Sequence, residues 1–538
     1  MLLLLVGSGA LAQNLNPTVE VTNTYRREAG GIDKPVLLLP APDSVLRFRL
    51  DFDYSVKTTP YKGAYEFEPY QVQLRPMARP DGQQTFYLRA GAGYGFHPEL
   101  TAVWTPVRKD HWRLNVFADH SSYMGYYRTI GKLSDGAFTH TKEMGKEAGC
   151  NSHSAVGVNT LFDWNGGSLT ADLRYRNIIG AEALAGDTET TMYHGIGASV
   201  SACSNPSASF QWEASEKASW TFAPGIDFRE THTQTSLGAG MRMGSHLFKI
   251  HLDAETVGQE ESYAGLVALT PRYVMSLGAL RLDLGVRMSY LFHSQADFYH
   301  EKSDFVFPDV HISYGVIPES LVLQAAATGG DRMQVYSDWL ETNPWMSNVL
   351  HCYMDNSVER FNLMAGARGQ FWGRLHYDAR VGYAFWKNAL LWGFDSVPGS
   401  ARPLLAMGYR NYHLFYVQGE LGWKAEYLDA GLQLKYRKTD LSEEQLFAPA
   451  AWEGRAHALY NWGGRIWGGV DAEWMSRRVA QKGYLPGYVD LGLYGEYRMS
   501  RSLGLWLRVG NLLNQTVQRV PFHAENGIYG TVGIRWNF

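Results

Sequence analysis

Apolar and polar residues alternate along most of this chain with a period of two. In residues 278–291, Leu280, Leu282, Leu284, Val286, Met288 and Tyr290 interleave with Arg281, Asp283, Arg287 and Ser289. Leu428, Ala430, Leu432, Leu434 and Tyr436 interleave with Asp429, Gln433, Lys435 and Arg437, and Leu169, Ala171, Leu173 and Tyr175 with Thr170, Asp172, Arg174 and Arg176. That period puts each set on its own face of a β-strand. The chain closes the same way: Ile528, Val532, Ile534, Trp536 and Phe538 fall on one side, and Tyr529, Thr531, Arg535 and Asn537 on the other. These runs are about ten residues long, the span of a tilted transmembrane strand; soluble strands are usually about five or six.

With the C-terminus placed in the periplasm, the connections alternate short and long. Short ones fall at 499–501, 462–464, 424–426, 371–373, 315–319, 275–277, 244–245, 164–166 and 108–111, and long ones at 513–525, 477–487, 439–452, 387–408, 329–358 and 124–152. Short periplasmic turns and longer outer loops are the polarity of an outer-membrane barrel. Strand starts under this rule lie near 85, 99, 112, 154, 167, 191, 207, 233, 246, 262, 278, 303, 320, 359, 374, 409, 427, 453, 465, 488, 502 and 526, which makes 22. An even number requires 207–228 to be a single strand. That stretch and 387–408 carry the weakest alternation, so 20 and 24 are the neighbouring counts.

The N-terminus agrees. Leu2–Val6 and the small residues up to Ala12 form a short apolar stretch, and Ala10-Leu11-Ala12 before Gln13 has the form of a signal-peptidase site. Beyond it no run approaches the roughly 18 apolar residues of a spanning helix. Aromatic residues at 14% and 56 glycines suit aromatic girdles and closely packed strands. A net charge of −4 gives no basic excess and makes nucleic acid a poor partner. Cys150, Cys203 and Cys352 have no metal-ligand spacing.

Residues 488–538 carry a more specific signal. YVDLGLYGEYRMSRSLGLWLRVGNLLNQ is followed by an outer loop and the closing aromatic strand, with Asn511-Leu512-Leu513-Asn514 leaving the penultimate strand. This arrangement, with a count of 22, resembles the β-barrel of TonB-dependent outer-membrane receptors. The resemblance covers residues 85–538. It implies solute uptake, a lumenal plug and a TonB-contacting box, but residues 13–84 are too few for a full plug and QNLNPTVEVTNTY contains no convincing box.

A barrel of this size is too wide for its own side chains to fill, so the N-terminal segment, the outer loops or a partner must occlude it. In 45–56, Leu46, Phe48, Leu50, Phe52 and Tyr54 alternate with Arg47, Arg49, Asp51, Asp53 and Ser55, as an extra strand, a periplasmic hairpin or a reduced plug would. The charged set reads first as a solvated or paired face, and Asp51 with Asp53 lacks the further oxygens that Ca²⁺ requires. There is no G-x-S-x-G, H-E-x-x-H or P-loop. Gly91, Gly93 and Gly95, and Gly238 with Gly240, lack the strand–turn–helix setting of a phosphate loop and fit close backbone approach instead. His351, Cys352 and Asp355 sit together in an outer loop without a metal pattern.

The expected fold is therefore all-β, a transmembrane antiparallel barrel of about 22 strands in a Gram-negative outer membrane. Residues 1–12 are read as a signal peptide, 13–84 as a periplasmic or lumenal segment and 85–538 as the barrel. The lumen is expected to be lined by Asp283, Arg287, Asp429, Lys435, Asp471, Glu473, Glu496 and Arg508. In the loop 329–358, Tyr336, Asp338, Trp339 and Trp345 form either a recognition surface, since loops carry function and rigid aromatics bind with little entropic loss, or an inward stopper. Trp536 and Phe538 are the candidate assembly signal for the barrel-assembly machinery. Expected partners are membrane lipid and a periplasmic or TonB-like protein at 13–84, with no cofactor. The leading function is passage or recognition of a solute. A non-transporting scaffold barrel is the rival, and a barrel hydrolase lacks a nucleophile constellation.

Overall fold

The computed structural model describes residues 85–94, 96–132, 141–184, 187–226, 228–259, 262–293, 306–343, 355–395 and 404–538. The readings of 1–12 and 13–84 lie outside these residues, as do Trp345, His351 and Cys352.

The chain forms one closed antiparallel sheet of 22 strands. The first are β1 (Phe86–Gly93), β2 (Glu99–Arg108), β3 (Trp112–Lys132), β4 (Thr141–Trp164), β5 (Gly167–Leu184), β6 (Asp187–Ser204), β7 (Phe210–Ala223) and β8 (Phe228–Met243). The wall continues through β9 (His246–Gln259), β10 (Ser262–Leu277), β11 (Leu280–His293), β12 (Val306–Ile317), β13 (Leu321–Arg332), β14 (Ser357–Phe371), β15 (Leu375–Asp395) and β16 (Leu404–Lys424). It ends with β17 (Leu428–Thr439), β18 (Trp452–Trp462), β19 (Ile466–Met475), β22 (Tyr488–Arg498), β23 (Leu503–Gly510) and β24 (Tyr529–Asn537). A separate hairpin, β20 (Arg478–Ala480) with β21 (Gly483–Leu485), rides on the outer connection between β19 and β22.

Each strand pairs with its sequence neighbour, and β1 closes on β24 with Leu88 opposite Trp536 and Ala90 opposite Ile534. At the seam the backbone N–H groups of Thr85 and Phe86 donate to the carbonyl of Phe538 at 2.7 and 2.9 Å. Closure leaves no edge strand unpaired, which is what permits a sheet in hydrocarbon. Gly91 and Gly533 matter here: a Cβ on Gly91 would come within 2.3 Å of the Trp506 ring, and one on Gly533 within 2.5 Å. Gly91, one of the glycines weighed above against a phosphate loop, thus makes room with Gly533 for an inward-pointing indole.

Burial is inverted relative to a soluble protein. Leu284, Val286, Val417, Leu493, Leu507 and Ile534 are exposed, whereas Arg287, Asp309, Glu359, Glu496, Thr531 and Arg535 are buried. The apolar face points outward to lipid, and the polar face points into the lumen. At the closing strand Ile534, Trp536 and Phe538 are exposed while Thr531, Arg535 and Asn537 are buried.

Two outer connections are shorter than expected. Residues 124–132 and 141–152 belong to β3 and β4, and 387–395 and 404–408 to β15 and β16, so the gaps between strands shrink to 133–140 and 396–403. Segments such as SSYMGYYRTIGK lack the regular apolar–polar alternation that marks the other strands, so the sequence does not mark these extensions as strands. The loop 329–358 also differs, since it holds a short helix, α1 (Tyr336–Thr342).

Candidate functional site: the lumen wall and the outer mouth

The inward polar positions form a mesh of ion pairs between neighbouring strands. On one arc, Arg287 of β11 pairs with Asp253 of β9 at 3.3 Å, and Arg272 of β10 reaches Asp283 at 3.6 Å and Asp309 at 2.5 Å. His311 and His251 join it through Asp309 and Glu213, each at 3.1 Å. At the seam Glu496 pairs with Arg535, both fully enclosed, and accepts from the Tyr494 hydroxyl at 2.5 Å. Beside them Arg89 bonds Glu99 at 3.1 Å and lies 3.6 Å over the Trp506 ring.

The sequence-derived lumen residues therefore fall in separate arcs. Asp283 and Arg287 share one arc, and Glu496 lies at the seam. Asp429 lies 3.7 Å from His457, Lys435 stands opposite Gln418, and Arg508 sits 5.9 Å from the Tyr529 ring. Asp471 and Glu473 of β19 face a loop cation, Arg519, described below. Asp283, Arg287, Glu473 and Glu496 each have an oppositely charged partner, as buried charges require, and among the described residues the eight are not gathered at one place.

The outer mouth is built from loops that turn inward. After β13 the chain runs through Met333 and Val335, which pack on Val257, Ala264 and Leu266 of the lumen wall, and then forms α1. The helix lacks an N-cap side chain of its own. Instead Glu230 of β8 accepts from the backbone N–H groups of Tyr336 and Ser337, each at 2.9 Å, and its carboxylate is steadied by Gln259 at 2.7 Å. A carboxylate placed at the free N–H groups of a helix start satisfies otherwise orphaned donors.

Tyr336 and Leu340 bury themselves among Ile178, Tyr193, Ala223 and Phe228, contributed by β5 to β8. On the other side of the helix Trp339 meets Trp392 of β15 edge to face, 5.0 Å between centroids. The helix thus bridges the β5–β8 arc to the β15–β16 arc, with Arg176 of β5 paired to Glu341 near its end. Of the loop residues singled out from sequence, Tyr336 is an enclosed anchor and Trp339 is half-buried on Trp392, while Asp338 remains exposed in the first turn.

Beyond Lys387 the edge of β15 is no longer covered by β14. Residues 445–447, from the connection between β17 and β18, take that edge: Phe394 N–H donates to the Gln445 carbonyl at 3.0 Å and Phe447 N–H to the Trp392 carbonyl at 2.8 Å. Phe394 and Phe447 then join Ile130 of β3, Leu485 of the β20–β21 hairpin, and Phe522 and Ala524 of the last loop in one apolar cluster. The mouth is crossed a second time, from β3 to β15.

The last outer loop, 511–528, is fixed by charge as well as by Phe522. Arg519 reaches Glu473 at 3.1 Å, Asp490 at 2.9 Å, and Glu525. Arg478 of the hairpin donates to the carbonyls of Gln518 and Arg519, and burial pushes its guanidinium down to about 10. One arginine serves three carboxylates, so Glu525 is pushed up to about 7, first by burial, against the pull of Arg519 and with repulsion from Asp490 and Glu473.

Comparison with solved structures finds the same architecture. The FrpB iron transporter from Neisseria meningitidis matches with a TM-score of 0.63 over 85% of this chain and 83% of that chain at 9% identity. The fold is that of the TonB-dependent receptor barrels. The ferric enterobactin receptor PfeA of Pseudomonas aeruginosa matches with a TM-score of 0.58 at 11% identity, covering 84% of this chain and 81% of that one. The copper transporter OprC matches with 0.57 at 12% identity, covering 85% and 81%. No family model and no curated protein matches the sequence. The barrel thus has the architecture seen in outer-membrane TonB-dependent receptors.

Nothing in the sequence marks Glu230, Arg519, Glu525 or Asp490 as site residues. Glu230 and Asp490 sit on strands and look like any other inward polar residue. Arg519 and Glu525 lie in a loop without periodicity, where no sequence signal marks which charges meet.

Proposed function

We propose that the chain is a gated outer-membrane conduit that admits a solute from the outer face, with α1 as a displaceable stopper. The observation that carries this reading is the way α1 is held: across the mouth, by noncovalent contacts to Glu230 and two aromatic anchors. Passage requires α1 to leave those contacts, and recognition falls to the outer loops because the wall charges are occupied with one another. Asp338 and the open face of Trp339 are the first side chains of α1 that a solute would meet. Asp283, Arg287, Asp429, Lys435, Asp471, Glu473, Glu496 and Arg508 shape the polarity of the path rather than a binding pocket. No covalent chemistry is assigned. Solute flux into proteoliposomes tests the reading: flux should rise when α1 is released by Glu230→Ala, and unchanged flux would refute the stopper. A TonB-like partner at residues 13–84 remains part of the proposal, with a pull-down on that segment as its test. The scaffold reading is favoured by the doubly crossed mouth, and it predicts no flux in either protein.

A further inference from the structure

The outward face of the barrel carries one carboxylate that lipid does not explain. On β7 the outward positions are Phe210, Trp212, Ala214, Glu216, Ala218, Trp220 and Phe222. Trp212 and Trp220 mark the two interfacial aromatic belts, and Glu216 lies midway between them, exposed. Its register neighbours confirm the orientation: it stands opposite Val200 of β6, itself exposed, and Thr235 of β8, whose hydroxyl donates to it at 2.5 Å. Among the described residues it is the only Asp or Glu that the strands turn outward between the belts.

The surface around it is also unlike the rest of the wall. Ala198, Ala214, Ala218 and Ala254 make it flat, and Thr233, Thr235 and Thr256 add hydroxyls, with Thr233 and Thr256 bonded at 2.7 Å. Outward alanines recur at Ala325 and Ala365, but their neighbours there are the apolar Ile312, Leu323, Leu363 and Val381 rather than hydroxyl-bearing residues. Small residues that let backbones approach, together with polar groups that bond across, characterise protein contacts within membranes. A carboxylate at mid-depth is costly against acyl chains, and such groups mark function and call for a named partner.

We propose that this β6–β9 face is a lateral docking site for a second, different outer-membrane protein that presents a Lys or Arg at bilayer mid-depth to Glu216. Charge decides the occupant. A second copy of this chain would set Glu216 against the same carboxylate, because the outward Arg229 of β8 lies opposite Phe222, beyond Trp220 and away from Glu216, whereas a basic side chain on another barrel needs a carboxylate for the same reason that Glu216 needs a cation. Each partner relieves the other's exposure to lipid.

The test is site-specific photo-crosslinking in intact outer membranes, with the photoreactive residue p-benzoylphenylalanine replacing Ala218, and Val417 on another part of the wall as the control position. The expected result is a discrete protein adduct from 218 and lipid alone from 417. The partner peptide should carry a Lys or Arg within an alternating strand. Glu216→Gln should reduce the adduct by roughly tenfold or more, since truncating one side of a desolvated charge pair is costly. Heat-modifiable migration of the Glu216→Gln barrel verifies that it is folded, and Glu216→Leu serves as a second variant. Lipid adducts alone at 218, an adduct between two copies of this chain, a partner peptide without a basic residue, or a yield indifferent to Glu216→Gln would each overturn the proposal.

Discussion

Glu230 and Tyr336 are 106 residues apart in the chain, yet the carboxylate of one accepts from the backbone N–H of the other at 2.9 Å. The second carboxylate oxygen takes the N–H of Ser337. A strand residue thereby caps a helix carried by a distant loop. Replacing it with Ala leaves two enclosed donors unsatisfied, a loss of about 1–3 kcal/mol each at most. Amide exchange over 333–343 should accelerate in Glu230→Ala while the strand amides keep their protection. Uniform exchange across the barrel would show instead that Glu230 supports the wall.

Trp339 and Trp392 form the opposite attachment. An edge-to-face pair of this kind contributes about 0.5–1.5 kcal/mol beyond its buried area. A double-mutant cycle with Trp339→Leu and Trp392→Leu, read by the same exchange, should give a coupling in that range. Additive effects would place the two rings on independent elements.

Arg519 is the electrostatic centre of the last loop. Its replacement by Met keeps much of the side-chain volume but leaves Glu473, Asp490 and Glu525 facing one another without their shared cation. The expected outcome at pH 8 is new proteolytic cleavage within 511–528, with the barrel core intact. Adding Glu525→Gln to the same chain should restore part of the resistance. Cleavage unchanged by Arg519→Met would mean that Phe522 and its apolar cluster alone retain the loop.

Glu525 gives this loop a pH dependence of defined sign. Its folded-state value, about 7, lies above the ordinary 4.5 of a glutamate, so the folded loop holds a proton that the released loop gives up. The stabilising contribution is full below about 4.5 and is lost as pH rises through about 7. Exchange at 511–528 should therefore quicken between pH 6 and 8, after correction for the intrinsic rate, and Glu525→Gln should flatten that change. An opposite slope would mean that Arg519 dominates and holds the carboxylate ionised.

Phe538 tests the assembly reading of the C-terminus. Its ring stacks on Trp536 at 5.0 Å and meets Phe86 at 5.3 Å, and its carbonyl receives the first amides of β1. Deleting it removes contacts at the only seam formed by strands from opposite ends of the barrel. The fraction of heat-modifiable, folded protein in the outer membrane should fall, while barrel already folded should unfold no more than modestly faster. Equal folded fractions would argue that the machinery reads some other feature.

The barrel was legible because lipid imposes a rule on every strand. Leu284, Val286 and Leu434 could face only one way, so strand number and most turns followed from alternation and parity. Where the alternation lapses, as in SSYMGYYRTIGK, the outer halves of β3, β4, β15 and β16 read as loops. The mouth obeys no comparable rule. Trp339 and Tyr336 drew notice as aromatic loop residues, but nothing in their sequence indicates that Trp392 and Glu230 receive that loop, since those contacts depend on which loops fold inward. The pairing of charges such as Arg287 with Asp253 was not legible, because an ion pair across a ladder requires the register.

The most direct measurement is the conductance of the purified chain in a planar bilayer, with and without residues 336–354. The account predicts little current from the intact chain and a large, steady current once α1 and its loop are removed, in a barrel that still shows heat-modifiable migration. A large open current from the intact chain, or a folded deletion variant that stays silent, would contradict it.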